Sequence, residues 1–368
     1  MNRFYETQTL LFLLLLTNCL PYIAKRERIK QIRIAILSGI DSVVVTGINQ
    51  KEFLQDYKIS VSDSLPLFLK TKEGRVMVNG KPYRGNLEIK NINNKIWVIN
   101  VVDIEDYLKG VVPCEIGRIT KDLMEAAKAQ AIAARTYAYS HINQYAQLGF
   151  DLYATTRDQL YGGINAEDEL ISTAIKKTSG FILTYHGQPI QAKYHSTCGG
   201  RTADFNDAWR GIGPPYLKSV VCEFCQISPH YYWEKRMHKD DFLKNLKINL
   251  QKIGIKISEK EIIRGFRFKR NPKSGRVIST IVLTDSGEYK VDLYNIRTLF
   301  GTPDDPNGLL KSNYFSLEVQ NDSIIIKGRG YGHGVGMCQF GAIGMAKRGK
   351  NYKEILMHYY PNTKLERH

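Results

Sequence analysis

The sequence predicts an α+β fold in which strand-rich and helix-rich stretches are segregated along the chain. Three observations predict it. Residues 31–102 hold alternating and β-branched runs separated by turn signals. Residues 122–141 carry a long alanine-rich pattern of helical period. The carboxyl-terminal part returns to strands, then enters a glycine-rich loop and a helix. With 368 residues, 43% of them hydrophobic, the chain can bury a sizeable core, and its length suggests about two domains.

Residues 1–30 stand apart as a signal peptide or a membrane or lipid anchor. Residues 10–16 are an unbroken apolar run behind Arg3. The run is shorter than the roughly 20 residues that span a bilayer and has the length of a signal-peptide core. Leu16-Thr17-Asn18-Cys19 is similar to a bacterial lipoprotein cleavage site with Cys19 as the lipidated residue, although Asn18 stands where a small residue is usual. Cleavage, lipidation and an uncleaved anchor all place the body of the protein outside the cytoplasm, in the cell envelope, touching membrane only through the amino terminus. A buried apolar segment of a cytosolic domain is the alternative.

Strands follow at residues 32–37, 42–47, 76–78, 86–90 and 95–102, with Asn79-Gly80 marking a turn. Residues 104–110 read as a short helix. Residues 122–141 read as a long one, with Leu123, Ala126, Ala127, Gln130, Ala134 and Tyr137 at helical spacing. A third helix spans 166–178, with Asn165 as N-cap and Gly180 closing it. Residues 181–194 form a hairpin around His186-Gly187. Residues 233–294, with 15 Lys and Arg against 8 Asp and Glu, read as an insertion or secondary subdomain. It mixes a helix at 240–250 with strands at 266–270 and 276–284. Residues 31–232 and 295–368 make the main domain, which ends with strands at 315–320 and 323–328 and a helix at 345–359.

The net charge of +16 points to an anionic partner: nucleic acid, anionic lipid or an acidic cell-wall polymer. The excess is dispersed, its one dense tract being Lys25-Arg26-Glu27-Arg28-Ile29-Lys30. No nucleic-acid motif accompanies it, which argues against nucleic acid. Of six cysteines, five remain without Cys19, an odd count that implies metal ligation or a free thiol.

Glu115 ends Val111-Val112-Pro113-Cys114-Glu115, after a proline turn and ahead of the long helix. A carboxylate there is placed to line a cleft; a cap or dipole partner is the plain alternative. The glycines around His333 let the backbone approach a ligand closely. His333 can hydrogen-bond a sugar or polarise a catalytic group, whereas a tight turn is the structural alternative. The loop lacks the Lys-Ser/Thr ending of a phosphate-binding loop. His195 and Cys198 are separated by two residues, as are Cys222 and Cys225, after an intervening stretch of 23. One His and three Cys so spaced suit tetrahedral zinc, and a disulfide is the alternative in an oxidising compartment. A closed site of this kind is structural, which disfavours a zinc hydrolase.

Residues 111–140, VVPCEIGRITKDLMEAAKAQAIAARTYAYS, and residues 328–365, GRGYGHGVGMCQFGAIGMAKRGKNYKEILMHYYPNTKL, together resemble the two signatures of the SpoIID/LytB family, that of stage II sporulation protein D and amidase enhancer. V-V-P-x-E is followed by A-x-K-A-Q-A-x-A-A-R-T-Y-A, and G-x-G-H-G-V-G-M-x-Q-x-G-A by I-L-x-H-Y-Y-P. Asp158-Gln159-Leu160-Tyr161-Gly162-Gly163 and Tyr194-His195-Ser196-Thr197-Cys198-Gly199-Gly200 also resemble family elements. The resemblance spans about residues 30–365.

It implies a lytic transglycosylase of peptidoglycan glycan strands, acting on strands that an amidase has stripped of stem peptides, with no cofactor for catalysis. Glu115 is then the catalytic acid and base. It protonates the oxygen between N-acetylmuramic acid and N-acetylglucosamine, then takes the proton of the muramic 6-hydroxyl as a 1,6-anhydro ring closes. Water is not the acceptor, so a second carboxylate is unnecessary. The role needs a raised pKa, for which Val111, Val112 and Ile116 would supply an apolar wall. Arg135, Tyr137, Gln159, Tyr161, His333 and Gln339 fall at motif positions and are expected to bind substrate or orient Glu115; Arg135 is alternatively a buried ion pair, and Tyr161 a stacking platform or a core residue. Some sporulation members bind zinc near the His-x-x-Cys element, which makes His195, Cys198, Cys222 and Cys225 the expected ligands of a structural zinc. Cys114 and Cys338 are expected near the cleft, as inert thiols or as a regulatory disulfide. The amidase-enhancer branch implies the rival reading, a non-catalytic glycan-binding enhancer of an N-acetylmuramoyl-L-alanine amidase, and makes such an amidase the expected partner.

Overall fold

The computed structural model describes residues 31–46, 56–71 and 74–368. The apolar run at residues 10–16, Cys19 and the basic tract at 25–30 lie outside the described residues. No helix among the described residues is long and apolar enough to cross a membrane.

The fold is α+β, with a strand-rich amino-terminal part. A five-stranded sheet runs in the order Leu67–Leu69, Asn86–Ile92, Lys95–Asp103, Gln31–Ile40, Leu152–Tyr153. Alternation along Lys95–Asp103 buries Ile96, Val98 and Val102 on one face. A four-stranded sheet of Tyr57–Ser60, Ser42–Thr46, Arg75–Val78 and Lys81–Arg84 completes this part.

Helix α1, Ile104–Ile116, starts where Lys95–Asp103 ends. Asp103 caps it by accepting from the backbone N–H of Glu105 and Asp106. The expected stop at Gly110 is overturned: α1 runs through Pro113 to Ile116. Proline removes one helical hydrogen bond without forbidding the next turn, and the helix ends at Gly117, φ 77°. Glu115 therefore lies in a last turn, not ahead of a first one.

Helix α2, Met124–Ser140, is the axis of the main domain. From Ala126 to Tyr139 every residue except Lys128 is buried. Its alanines let α1 pack closely, together with α3 (Glu169–Lys177), α6 (Gln339–Lys347) and α7 (Tyr352–Tyr359). Asp168, not Asn165, caps α3. The helix expected at 345–359 is two helices, because Gly349 takes φ 79° and Asn351 with Glu354 forms a fresh capping box. Phe181–Tyr185 turns into Gln188–Pro189 as a hairpin, but Tyr194–His195 leaves it to pair in parallel with Met337–Cys338.

A second core gathers Phe242, Leu246 and Leu250 of α4 (Lys239–Lys252) with Val277, Val282, Val291, Phe300 and Phe315. It also takes in Ile296 and Leu299 of α5 (Ile296–Leu299), Ile324 and Ile326, so this core reaches past residue 294 into the strands at Phe315–Gln320 and Ser323–Arg329.

Candidate functional site

Glu115 is half-buried, its carboxylate held by three partners. Oε1 accepts from the backbone N–H of Leu160 at 2.9 Å, and Oε2 accepts from the side-chain amide of Gln339 at 3.4 Å. The Tyr194 hydroxyl also bonds to it. Three segments far apart in sequence thus meet on one carboxyl group. Its pKa is raised: burial disfavours the charged form, and the bonds from Leu160, Gln339 and Tyr194 offset that only in part. The last turn of α1 adds to the effect, since a helix carboxyl end disfavours negative charge.

Behind the carboxylate lies a closed polar chain. Tyr107 of α1 donates to Gln159 Oε1 at 3.1 Å, and Gln159 Nε2 donates to the Tyr194 hydroxyl at 2.9 Å. Gln159 is fully buried, so it orients Tyr194 rather than meeting a ligand. Tyr194 and Tyr107 had no role assigned from sequence, although Tyr194 heads the motif that carries His195 and Cys198.

Tyr137 presents one face to His141, ring centroids 3.9 Å apart, and another to the Lys193 ammonium at 4.8 Å; its hydroxyl donates to Asp158 at 3.2 Å. Two expected groove residues are corrected. Arg135 is fully buried and clasps Glu105 with paired bonds of 2.8 and 2.7 Å, with Nη1 on the Phe181 carbonyl. It is the internal ion pair, tying α2 to α1. Tyr161 is buried between Tyr83 and Tyr107, and its hydroxyl donates to Asn100 at 3.0 Å, so it cannot stack on a sugar.

The glycine-rich loop is shaped by its neighbours. Gly330 and Gly336 take φ 77° and 72°, and a side chain on them would collide with the carbonyls of Thr197 and Lys193. Within the loop, His333 Nδ1 accepts from the Val335 N–H at 3.1 Å. Its ring faces Trp209 at 4.9 Å and His195 at 5.5 Å. Burial, with the nearby His195, Lys193 and arginines, holds its pKa well below the usual range, so the ring is neutral. Gln339, not His333, brings this segment to Glu115.

The expected metal ligands are corrected at one position. Cys198, Cys222, Cys225 and Cys338 place their four Sγ atoms within 4.8 Å of one another, all buried. His195 is not among these four, its Nδ1 lying against the Val335 carbonyl at 3.1 Å. All five described cysteines are free thiols. Cys114 hydrogen-bonds the Gly110 carbonyl, whereas Cys338 sits in the cluster, so the two do not form the suggested disulfide.

The cluster fits zinc by its chemistry. Tetrahedral zinc with sulfur at about 2.3 Å needs sulfurs about 3.8 Å apart, and Cys198 and Cys225 already stand at 3.4 Å. The N–H groups of Cys198 and Gly341 each donate to Cys338 Sγ at 3.3 Å, so two backbone donors face that sulfur. Arg276 is fully buried with no carboxylate in ion-pair range among the described residues, and Nη2 donates to the Cys198 carbonyl at 2.8 Å. A buried cation without an acid suits an anionic cluster beside it.

The chain is similar to several known proteins. A family profile described as stage II sporulation protein matches residues 92–185, the stretch holding α1, α2 and Glu115. A domain of unknown function, DUF8618, matches residues 223–336. An uncharacterized protein of Brachyspira hyodysenteriae is 35% identical over 329 residues, 88% of this chain and 83% of that protein. Stage II sporulation protein D of Bacillus subtilis is 33% identical over 279 residues, 72% of this chain and 74% of its own length. The amidase enhancer of the same organism is 28% identical over 330 residues, 79% of this chain and 45% of its own. With a third of the residues shared along three quarters of stage II sporulation protein D, and the profile match lying over α1 and α2, the chain belongs to the SpoIID family.

Proposed function

We propose that this protein is an extracytoplasmic lytic transglycosylase of peptidoglycan glycan strands, with Glu115 as its general acid and then its base. The observation that carries the reading is a single half-buried carboxyl group whose burial raises its pKa and which polar partners hold from three sides. Raised pKa keeps the proton on Glu115 at higher pH, so the group can donate to a glycosidic oxygen. The carboxylate left behind is stabilised by the Leu160 N–H and the Gln339 amide and is poised to accept the 6-hydroxyl proton. An intramolecular hydroxyl as nucleophile makes one carboxyl group sufficient. Tyr137 packs edge-on against Tyr194 and His333 against Trp209, and Tyr107, Gln159 and Tyr194 fix the carboxylate's orientation.

A zinc ion held by Cys198, Cys222, Cys225 and Cys338 would be structural, since four thiolates leave no position for water. Cys338 precedes Gln339 directly, so the cluster anchors the residue that touches Glu115. The relative named amidase enhancer supports an amidase as functional partner and keeps glycan binding without cleavage as the rival.

Mass spectrometry of peptide-free strands after digestion tests the reading. Wild type yields 1,6-anhydro ends and Glu115→Gln does not. Reducing ends would make the protein a hydrolase, and intact strands that remain bound would favour the enhancer.

A further inference from the structure

A cavity of about 790 Å³ lies where the main domain meets the basic insertion. One wall is a loop carrying Asn206, Trp209 and Arg210. The other is the sheet of Ile263–Arg270, Val277–Thr284 and Glu288–Val291, in that order. Its register sets Arg267 beside Ile281 and Ile281 beside Lys290, with Lys269 beside Ser279. Alternation puts these side chains on one face, while Phe266, Val282 and Val291 serve the second core from the other. Arg210 pairs with Asp292 at 2.6 Å and Arg267 with Glu288 at 3.2 Å. Lys269 and Lys290 are exposed and have no carboxylate partner among the described residues.

A row of side-chain contacts links the cavity wall to Glu115. Tyr194 bonds Glu115, and its ring meets Tyr137 edge-on at 6.5 Å. The Lys193 ammonium lies over Tyr137 at 4.8 Å and over Trp209 at 5.5 Å. Trp209 then forms part of the cavity wall. The row Tyr194, Tyr137, Lys193, Trp209 thus runs from the carboxyl group to the wall of the cavity that holds the two unpaired ammonium groups.

We propose that the cavity is a distal subsite for an acidic sugar of the same strand, its ring against Trp209 and its carboxylate on Lys269 and Lys290. The inference deepens the reading above and rests on it for the identity of the strand. In such a strand the acid is the lactyl carboxylate of muramic acid, which carries charge only where no peptide is amide-bonded to it. A neutral amide in its place offers the two cations nothing to pair with.

The test is calorimetric titration of two proteins, Glu115→Gln and the same chain with Lys269→Glu and Lys290→Glu added. Each is titrated with a peptide-free muramic-acid-containing hexasaccharide and with chitohexaose, which is neutral. Both lysines are exposed, so the added changes leave folding intact. The expected result is about tenfold weaker binding of the acidic sugar to the triple variant, fading as salt rises, with chitohexaose unaffected. Equal affinity of both proteins for the acidic sugar overturns the subsite, and so does an equal loss on both sugars. The function reading fails separately, if wild type releases no 1,6-anhydro ends while the acid-selective loss persists.

Discussion

The core around α2 and the second core treat polar groups in opposite ways. Around α2 the core is built from small residues, and the polar side chains beside Glu115 are closed into a chain: Tyr107 on Gln159, Gln159 on Tyr194, Tyr194 on the carboxylate. In the second core, phenylalanines and aliphatics are buried together, and apart from the buried Arg276 most nearby cations stay at the surface, Lys269 and Lys290 among them without an acid. The first arrangement holds one group to a fixed geometry and sets its pKa. The second creates a field without fixing any one contact. On the function proposed above, chemistry belongs in the first and recognition of charge in the second.

The largest expected effect breaks the first half of that contrast. Glu115→Gln lowers formation of 1,6-anhydro ends by about 10²- to 10⁴-fold, read by mass spectrometry. It does so without weakening the fold. A carboxyl group whose folded pKa is raised contributes stability only below that pKa, lost as pH rises through it. At neutral pH the variant therefore melts at or above the wild-type temperature in calorimetry; a lower melting temperature would make Glu115 structural.

Next comes the internal brace. Arg135→Met leaves the Glu105 carboxylate without its partner and costs about 3–5 kcal/mol in denaturant unfolding. Adding Glu105→Gln restores part of the loss, as removal of an unpaired charge should. The metal prediction is one of stoichiometry. Elemental analysis finds one zinc per chain in wild type and in His195→Ala, and less than one in Cys338→Ser. Loss of zinc from the histidine variant would reinstate His195 as a ligand.

The smallest effect is the sharpest. Gln339→Leu removes a donor that favours the charged form of Glu115, so the carboxyl pKa rises further. The alkaline limb of kcat/KM then moves to higher pH, by less than about one unit, because the bond is long. A shift to lower pH would mean that Gln339 does not act on the carboxylate.

Period carried much of the fold. Alternation marked the strands of residues 31–102, and the alanine repeat marked α2, because one face or one axis is buried continuously there. Motif order also brought Glu115 and Gln339 into one reading. What was hidden depended on partners distant in sequence. Pro113 reads locally as a stop, yet α1 tolerates it. The pairs His195/Cys198 and Cys222/Cys225 look complete, while Cys338 enters from 140 residues beyond Cys198 because Tyr194–His195 pairs with Met337–Cys338. Arg135 and Tyr161 sit in motifs beside Glu115, but motif membership does not tell a residue that meets a ligand from one that holds the frame.

Of the three tryptophans in the chain, Trp97 is stacked on Phe150 and Trp233 is hydrogen-bonded to the Gly330 carbonyl. Trp209 alone among them lines the junction cavity, with an imidazole and an ammonium group beside its indole. The molecule thus carries its own optical reporter in the cavity wall: on the subsite proposed above, a strand that arrives there changes the emission of one indole, without any label being attached.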